Sequence, residues 1–362
     1  MHYNVIGLMS GSSLDGLDLA YVHFEEMAGQ WQFEILETAC VPYSDNWKRD
    51  LSDAGNLSAR DYLLLHSAYG NWLGERVNDF LMERNLSFKV QLIASHGHTV
   101  FHFPSRQMTA QLGEGAAIAA VTGIRTITDL RSVDLALGGQ GAPIVPIGEK
   151  LLFSEYDFFL NIGGIANLSA NQDVFIGFDI CPANRILNLL ATGTDKGFDE
   201  NGKGAATGSI DQNLLNRLND FGYYSLPYPK SLSNEFGLNE IYPPIIQAKL
   251  SMNDALRTYT EHIVMQISKA LLGLIKQKPD KKNQRLLITG GGAHNLFLIN
   301  RLRDEFADAG IDCIIPADNL VDYKEALVIA LMGALRWREE ANVMCSVTGS
   351  SKDSINGAIW SV

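Results

Sequence analysis

The chain has 362 residues, 29 of them Lys or Arg against 41 Asp or Glu, for a formal net charge of -12. That length suits about two domains, and that charge has the wrong sign for a general binder of nucleic acid or anionic membrane. The four cysteines, Cys40, Cys181, Cys313 and Cys345, form no C-x-x-C pair, so they read as reduced thiols of a cytoplasmic protein rather than a disulfide framework or zinc knuckle. A polar start, Met1 to Asn4, runs straight into a strand pattern, and no apolar run approaches the 18 or so residues of a membrane span, so neither a signal peptide nor a transmembrane helix is expected.

In chain order, Val5 and Ile6 open a strand, residues 9–16 form a polar turn, and Leu17, Leu19, Tyr21 and His23 recur at period two, which predicts strand, turn, strand. Residues 58–86 predict a long amphipathic helix carrying Leu63, Leu64, Tyr69, Leu73, Val77, Phe80 and Leu81, followed by a buried strand over Val90 to Ala94. The opening pattern returns about 150 residues later. Phe158 to Leu160 predict a strand, 161–167 a glycine-bearing turn, and Val174 to Phe178 a further strand that ends at Asp179. Residues 222–244 hold Pro227, Pro229, Pro243 and Pro244 and read as a loop or crossover. A helix is predicted over Ala255 to Lys276, with Leu256, Tyr259, Ile263, Ile267, Ala270, Leu271 and Leu274 on one face. The strand Leu286 to Thr289 enters Gly290-Gly291-Gly292, the helix Leu296 to Phe306 leaves it, and Lys324 to Glu339 forms the last clear helix. Strands alternating with helices make an α/β protein.

Glycine, 33 residues, is only modestly enriched, but 17 of the 33 cluster at residues 7–16, 138–148, 163–164, 193–208 and 290–292. Glycine beside a strand or helix lets backbone approach a ligand, and free N–H groups at a helix start suit a phosphate. The run Gly197 to Gly204 imitates a phosphate-binding G-x-x-x-x-G-K but lacks the metal-binding hydroxyl and a preceding strand, so it reads as a decoy. His96, His98 and His102 could meet a metal, although pocket lining or a structural role asks less of a stretch with no nearby Cys or carboxylate. Asp179 sits at the carboxyl end of a strand, where α/β folds present ligands, or else caps the following helix. Asp15 and Asp18 flank Gly16 in a hydroxyl-rich turn of the kind that phosphoryl transfer uses, unless they serve the turn alone.

Taken together, GLMSGSSLDGLD (7–18), ASHGHTV (94–100), DLRSVDLALGGQGAPIVP (129–146), LNIGGIANLS (160–169), GFDICPAN (177–184) and GGGAHN (290–295) resemble the anhydro-N-acetylmuramic acid kinases, within the sugar kinase, Hsp70 and actin superfamily. The match runs in order from Gly7 to about Trp337.

The resemblance implies two duplicated ribonuclease-H-like (actin-like ATPase) domains, 1–150 and 151–362, with ATP in the cleft between them and the helix at about 324–340 packing back on the first. It implies a nucleotide site from Gly11, Ser12, Ser13, Leu14, Asp15, Gly16, Leu17 and Asp18, from Gly163 and Gly164, and from Gly290, Gly291 and Gly292. Asp15 is the candidate Mg2+ ligand, Asp179 the catalytic base and Glu325 a second acidic catalytic position. His96, Arg131 and Lys230 are candidate substrate contacts, the last two for a lactyl carboxylate. The implied reaction is ATP-dependent hydrolytic opening of 1,6-anhydro-N-acetylmuramate with phosphorylation of O6, giving N-acetylmuramate 6-phosphate in peptidoglycan recycling, by a cytoplasmic homodimer. The sequence departs from the family pattern at Ser12 (usually Thr), His98 (usually Gln), Phe101 and Phe103 (usually polar), Cys181 (usually Gly), and Ser233 and Asn234 (usually Gly and Arg). The departures at His98 and Asn234 keep open a neutral anhydrosugar such as levoglucosan as substrate; a non-catalytic ATP-binding protein is a third reading, against which the intact Asp179 argues.

Overall fold

A computed structural model describes residues 1–11, 14–275 and 283–362. The chain divides into two compact units, Met1–Ser154 with Tyr323–Val362, and Glu155–Asp322.

In the first unit, strands β1 (His2–Ser10), β2 (Gly16–Met27) and β3 (Gln30–Pro42) form an antiparallel meander. β4 (Leu92–Ser95) joins the other side of β1 in parallel, with Ile6 opposite Ile93, and β7 (Thr126–Thr128) joins β4 in parallel. Between them, β5 (His98–Phe103) and β6 (Met108–Leu112) make a separate hairpin. In the second unit, β8 (Phe158–Ile162), β9 (Ile165–Ala170) and β10 (Ile176–Pro182) repeat the meander, and β11 (Gln284–Thr289) and β12 (Ile311–Ile314) repeat the two parallel additions. The two sheet orders, β7-β4-β1-β2-β3 and β12-β11-β8-β9-β10, are therefore one topology used twice, and each unit is a ribonuclease-H-like α/β fold. The first sheet gains an extra edge strand, β13 (Ala358–Trp360), antiparallel to β7.

That pairing explains why residues 341–362, placed in the second domain from sequence, group with the first unit instead. Helix Asp318–Trp337 also approaches β1 closely, because a Cβ at Gly7 would overlap the Ala326 carbonyl.

Helix Ala59–Glu83 is capped by Ser58, whose Oγ accepts from the Asp61 N–H, and it buries Tyr69, Leu73, Val77 and Phe80 at spacings of four, four and three. Leu63 and Leu64, expected on that face, are off its phase and exposed. Helix Met252–Ile275 lays Leu256, Tyr259, Ile263, Ile267 and Leu271 into the core that holds Leu160, Leu168 and Phe178. Ala270 is only partly buried. Lys276, the expected end of this helix, lies outside the described residues. Two further differences concern short elements. The turn expected over 161–167 is only Gly163-Gly164, because Ile165–Ala170 already pairs with β8 as β9. Within 222–244, short helical turns at Gly222–Ser225, Asn234–Phe236 and Gly237–Ile241 replace much of the expected loop. Among the described residues no helix is long and apolar enough to cross a membrane.

Candidate active site

Asp179 stands on β10 where the pairing with β9 slips between Asp179 and Cys181. Such a bulge re-aims a side chain, and bulges concentrate beside active sites. The segment 230–232 holds the residue from the other edge. The Asp179 N–H donates to the Lys230 carbonyl (3.1 Å), and the Leu232 N–H donates to Asp179 Oδ2 (2.8 Å). Tyr223 adds a hydroxyl that donates to the Asp179 carbonyl at 2.8 Å. Burial outweighs the single N–H bond and pushes the Asp179 carboxyl up to about 6. A carboxylate so placed is ionised at neutral pH yet basic enough to take a proton.

Lys230 has its ammonium 4.6 Å from the centre of the Tyr223 ring and donates to the Tyr223 carbonyl at 3.3 Å. Burial, with repulsion from Lys269 second, lowers its pKa. Lys230 and Lys269 share the lining of a cavity of about 180 Å³ with Phe178 and Tyr228.

In the same unit the two glycine loops meet. Gly290 adopts φ +81°, and a Cβ there would overlap the Asn161 side chain, so the 290–292 turn presses on the end of β8. Asn184 ties the arrangement together: its Nδ2 donates to the Ile162 carbonyl (2.9 Å) and its N–H to the Gly163 carbonyl (3.1 Å). At Gly163 and Gly164 a Cβ would meet nothing closer than 3.5 Å, so that backbone is open to a ligand. In the imitation phosphate loop the helix-start amides are already committed. Asp199 caps the helix Lys203–Thr207 by accepting from the Gly204 and Ala205 N–H groups at 2.7 and 2.9 Å.

In the first unit, Gly11 follows β1 directly, and Gly16, Leu17 and Asp18 begin β2. Ser12 and Ser13 lie outside the described residues. Leu14 holds a left-handed φ of +57°, a conformation that non-glycine residues adopt at a cost and that recurs in ligand loops. Asp15 is exposed, and its Oδ1 accepts the Gly16 N–H at 3.0 Å.

His96 and Arg131 are brought together. His96 is 4% exposed, and burial, reinforced by Arg131, pushes its pKa down to about 3, so the ring is neutral. Its Nδ1 donates to the Gly97 carbonyl (2.9 Å), leaving Nε2 to accept from Arg131 Nε (2.9 Å). Arg131 Nη1 donates to the Gly141 carbonyl at 2.5 Å. Burial brings the guanidinium down to about 10, partly offset by Glu325 and Asp134, so it stays charged at neutral pH. Glu325 thus lies within electrostatic reach of Arg131. His96 also lines a cavity of about 280 Å³ with Ser95, Thr109, Gln111 and Asp129.

His98 does not join His96 in a metal site: the protein spends it on Ser10, whose Oγ lies 3.0 Å from His98 Nδ1, and burial lowers its pKa to about 4. His102 instead faces Thr109 Oγ1 at 3.2 Å.

Three residues that sequence reasoning missed organise these groups. Asp134, fully buried, accepts from the Gly141 N–H (2.8 Å) and Thr348 Oγ1 (2.7 Å), and so builds the loop that receives Arg131. Tyr223 braces Asp179. Tyr43 ties both ends of the first glycine loop, its hydroxyl donating to Ser10 Oγ (2.7 Å) and its N–H to the Asp15 carbonyl (3.2 Å). Asp134 lies within the 129–146 string but is not singled out by it, and Tyr43 and Tyr223 fall outside every quoted motif.

The family model for anhydro-N-acetylmuramic acid kinase matches residues 3–362. Curated relatives of that name include proteins from Haemophilus influenzae (34% identical, over 98% of this chain and 97% of the relative), Synechococcus elongatus (33%, 98% and 99%) and Hydrogenovibrio crunogenus (32%, 98% and 97%). With the duplicated topology and a full-length match of this kind, the chain belongs to the anhydro-N-acetylmuramic acid kinase family.

Proposed function

We propose that the protein is an ATP-dependent kinase that opens 1,6-anhydro-N-acetylmuramate with water and phosphorylates O6, giving N-acetylmuramate 6-phosphate for peptidoglycan recycling. The observation that carries the mechanism is the Asp179 carboxyl, held by Leu232 at a strand bulge and raised to about 6. Asp179 takes a proton from water as its oxygen bonds to the anomeric carbon, the bond from that carbon to O6 breaks, and O6 accepts the γ-phosphoryl group as ADP leaves. Arg131, whose Nε and Nη1 are held by His96 and Gly141, keeps its charge and its Nη2 for the lactyl carboxylate. Lys230 is the second candidate for that carboxylate. Glu325 lies within electrostatic reach of Arg131 and is proposed to hold its charge and, through it, the sugar.

The first loop, Gly11 to Asp18, and the open turn Gly163-Gly164 are assigned to the ATP phosphates, with Gly290 to Gly292 bordering the adenosine. Asp15, with Asp18 nearby on β2, offers the hard carboxylate oxygens that Mg2+ takes, so this donor set fits that ion. Mg2+ would supply charge neutralisation at the transferred phosphoryl group. The same reading carries a cytoplasmic location and a homodimer; light scattering on the purified protein checks the homodimer.

His98 gives no support to a neutral substrate, since its ring is buried and committed to Ser10. The test is an ADP-release assay on a sugar panel. The expected result is kcat/KM for 1,6-anhydro-N-acetylmuramate about 100-fold or more above levoglucosan, since a site built for a charged group rejects analogues that lack it. Equal rates, or ADP release independent of sugar, contradict the proposal.

A further inference from the structure

Far along β1 and β2 from the glycine loop, the antiparallel register sets His2 opposite Glu25 and Asn4 opposite His23. Side chains two apart on a strand share a face, as do directly opposed residues, so all four project from one face of the sheet. Among the described residues, His2, His23 and Glu25 are the only three His, Cys or carboxylate side chains whose ligand atoms all lie within 4.8 Å of one another.

We propose that these three side chains form a Zn2+ site. Glu25 Oε1 lies 3.5 Å from His2 Nδ1 and 3.4 Å from His23 Nε2. Ligands on a tetrahedral ion at bond lengths of about 2.0–2.1 Å stand roughly 3.3 Å apart, so both separations suit one ion between the three groups. The second observation is the tautomer. His23 Nδ1 is 2.7 Å from Asn4 Oδ1, an acceptor only, so Nδ1 carries a proton and Nε2, on the Glu25 side, is the nitrogen left to bind a metal. An oxygen partner on the far imidazole nitrogen is what orients metal-binding histidines elsewhere. Two neutral imidazoles with one carboxylate favour Zn2+ over Mg2+ or Ca2+ and leave a fourth position for water. The rings of His2 and His23 are stacked, 20° from parallel with centroids 5.6 Å apart, so binding one ion requires a ring to turn until both in-plane lone pairs meet it. His2, His23 and Glu25 are exposed or half-buried, so entry is open. Bound there, the ion cross-links β1 to β2 at the end away from the phosphate loop.

The test is calorimetric titration of the metal-stripped full-length protein with Zn2+, with Co2+ absorption as the geometric readout. The expected result is one Zn2+ per chain, visible bands of tetrahedral Co2+, and a melting temperature that rises with Zn2+ by the mass action of a ligand that binds the folded state. His23→Ala and His2→Ala should each abolish the Co2+ bands, and Asn4→Ala should weaken binding about 10-fold or more, as loss of an orienting partner does elsewhere. All three are surface changes outside the proposed catalytic machinery, so Mg2+-ATP turnover of the sugar should not change. No Zn2+ uptake, or uptake undiminished in both histidine variants, overturns the proposal.

Discussion

The Leu232 N–H donates to Asp179 Oδ2 at 2.8 Å, a bond that favours the charged form of a carboxyl whose burial favours the neutral form. The proposed base is therefore positioned by main chain, and its basicity comes from partial removal from water. Asp179→Asn keeps an acceptor for Leu232 and removes the base. It should lower kcat by roughly 10²–10⁴-fold, the usual worth of a general base, with ATP affinity unchanged by calorimetry.

The raised carboxyl also sets the pH response. Below about 6 Asp179 takes up a proton and no longer serves as a base, so kcat/KM for the sugar should fall on the acid side with a midpoint near pH 6. Stability should move the other way. The folded state holds this proton more tightly than the unfolded chain, so the group's stabilising contribution is present in acid and is lost as pH rises through about 6. Asp179→Asn should therefore melt above wild type at pH 7.5, by an amount of order 1–3 kcal/mol, with the gap closing toward pH 4. Melting curves at the two pH values check this.

A second relationship joins Tyr43 to Ser10. The Tyr43 hydroxyl donates to Ser10 Oγ and Tyr69 lies 2.6 Å behind it, so the hydrogen-bonded chain runs from Tyr69 through Tyr43 and Ser10 to His98. Tyr43→Phe breaks that chain at the mouth of the proposed phosphate loop. It should cost about 1–2 kcal/mol of stability and raise KM for ATP several-fold, with KM for the sugar unchanged, as steady-state kinetics on both substrates would show.

Glu149 and Lys324 form an ion pair at 2.5 Å with each side chain 3% exposed, and Glu149 Oε2 has no hydrogen-bond partner among the described residues. Removing one member strands a buried charge. Glu149→Gln or Lys324→Met should cost about 3–5 kcal/mol in denaturant unfolding, whereas replacing both by apolar residues should recover much of the loss.

Much of this architecture was legible in the sequence, because the duplicated strand, turn, strand pattern and the glycine strings are local signals. The strands β3, β9 and β13 were not, since their identity depends on partners: Ile165–Ala170 looks like part of a turn until β8 lies beside it. Leu63 and Leu64 show the same limit on a helix, where hydrophobicity was plain but the phase of the buried face was decided by packing. At the site, the motif singles out Asp179 as the candidate base, but the Leu232 amide and the Tyr223 hydroxyl that brace it come from residues more than 40 positions away. The spacing of His96, His98 and His102 leaves a metal site, pocket lining and a structural role open, whereas burial and hydrogen bonding give each ring a different partner.

The most direct test of the central claim is the structure of the product. With purified protein, Mg2+, ATP and 1,6-anhydro-N-acetylmuramate, phosphorus and proton NMR should show one equivalent of ADP and a sugar with phosphate on O6 and a free anomeric hydroxyl. A phosphorylated sugar that keeps its 1,6-anhydro bridge, or ADP with inorganic phosphate and unchanged sugar, would contradict the account.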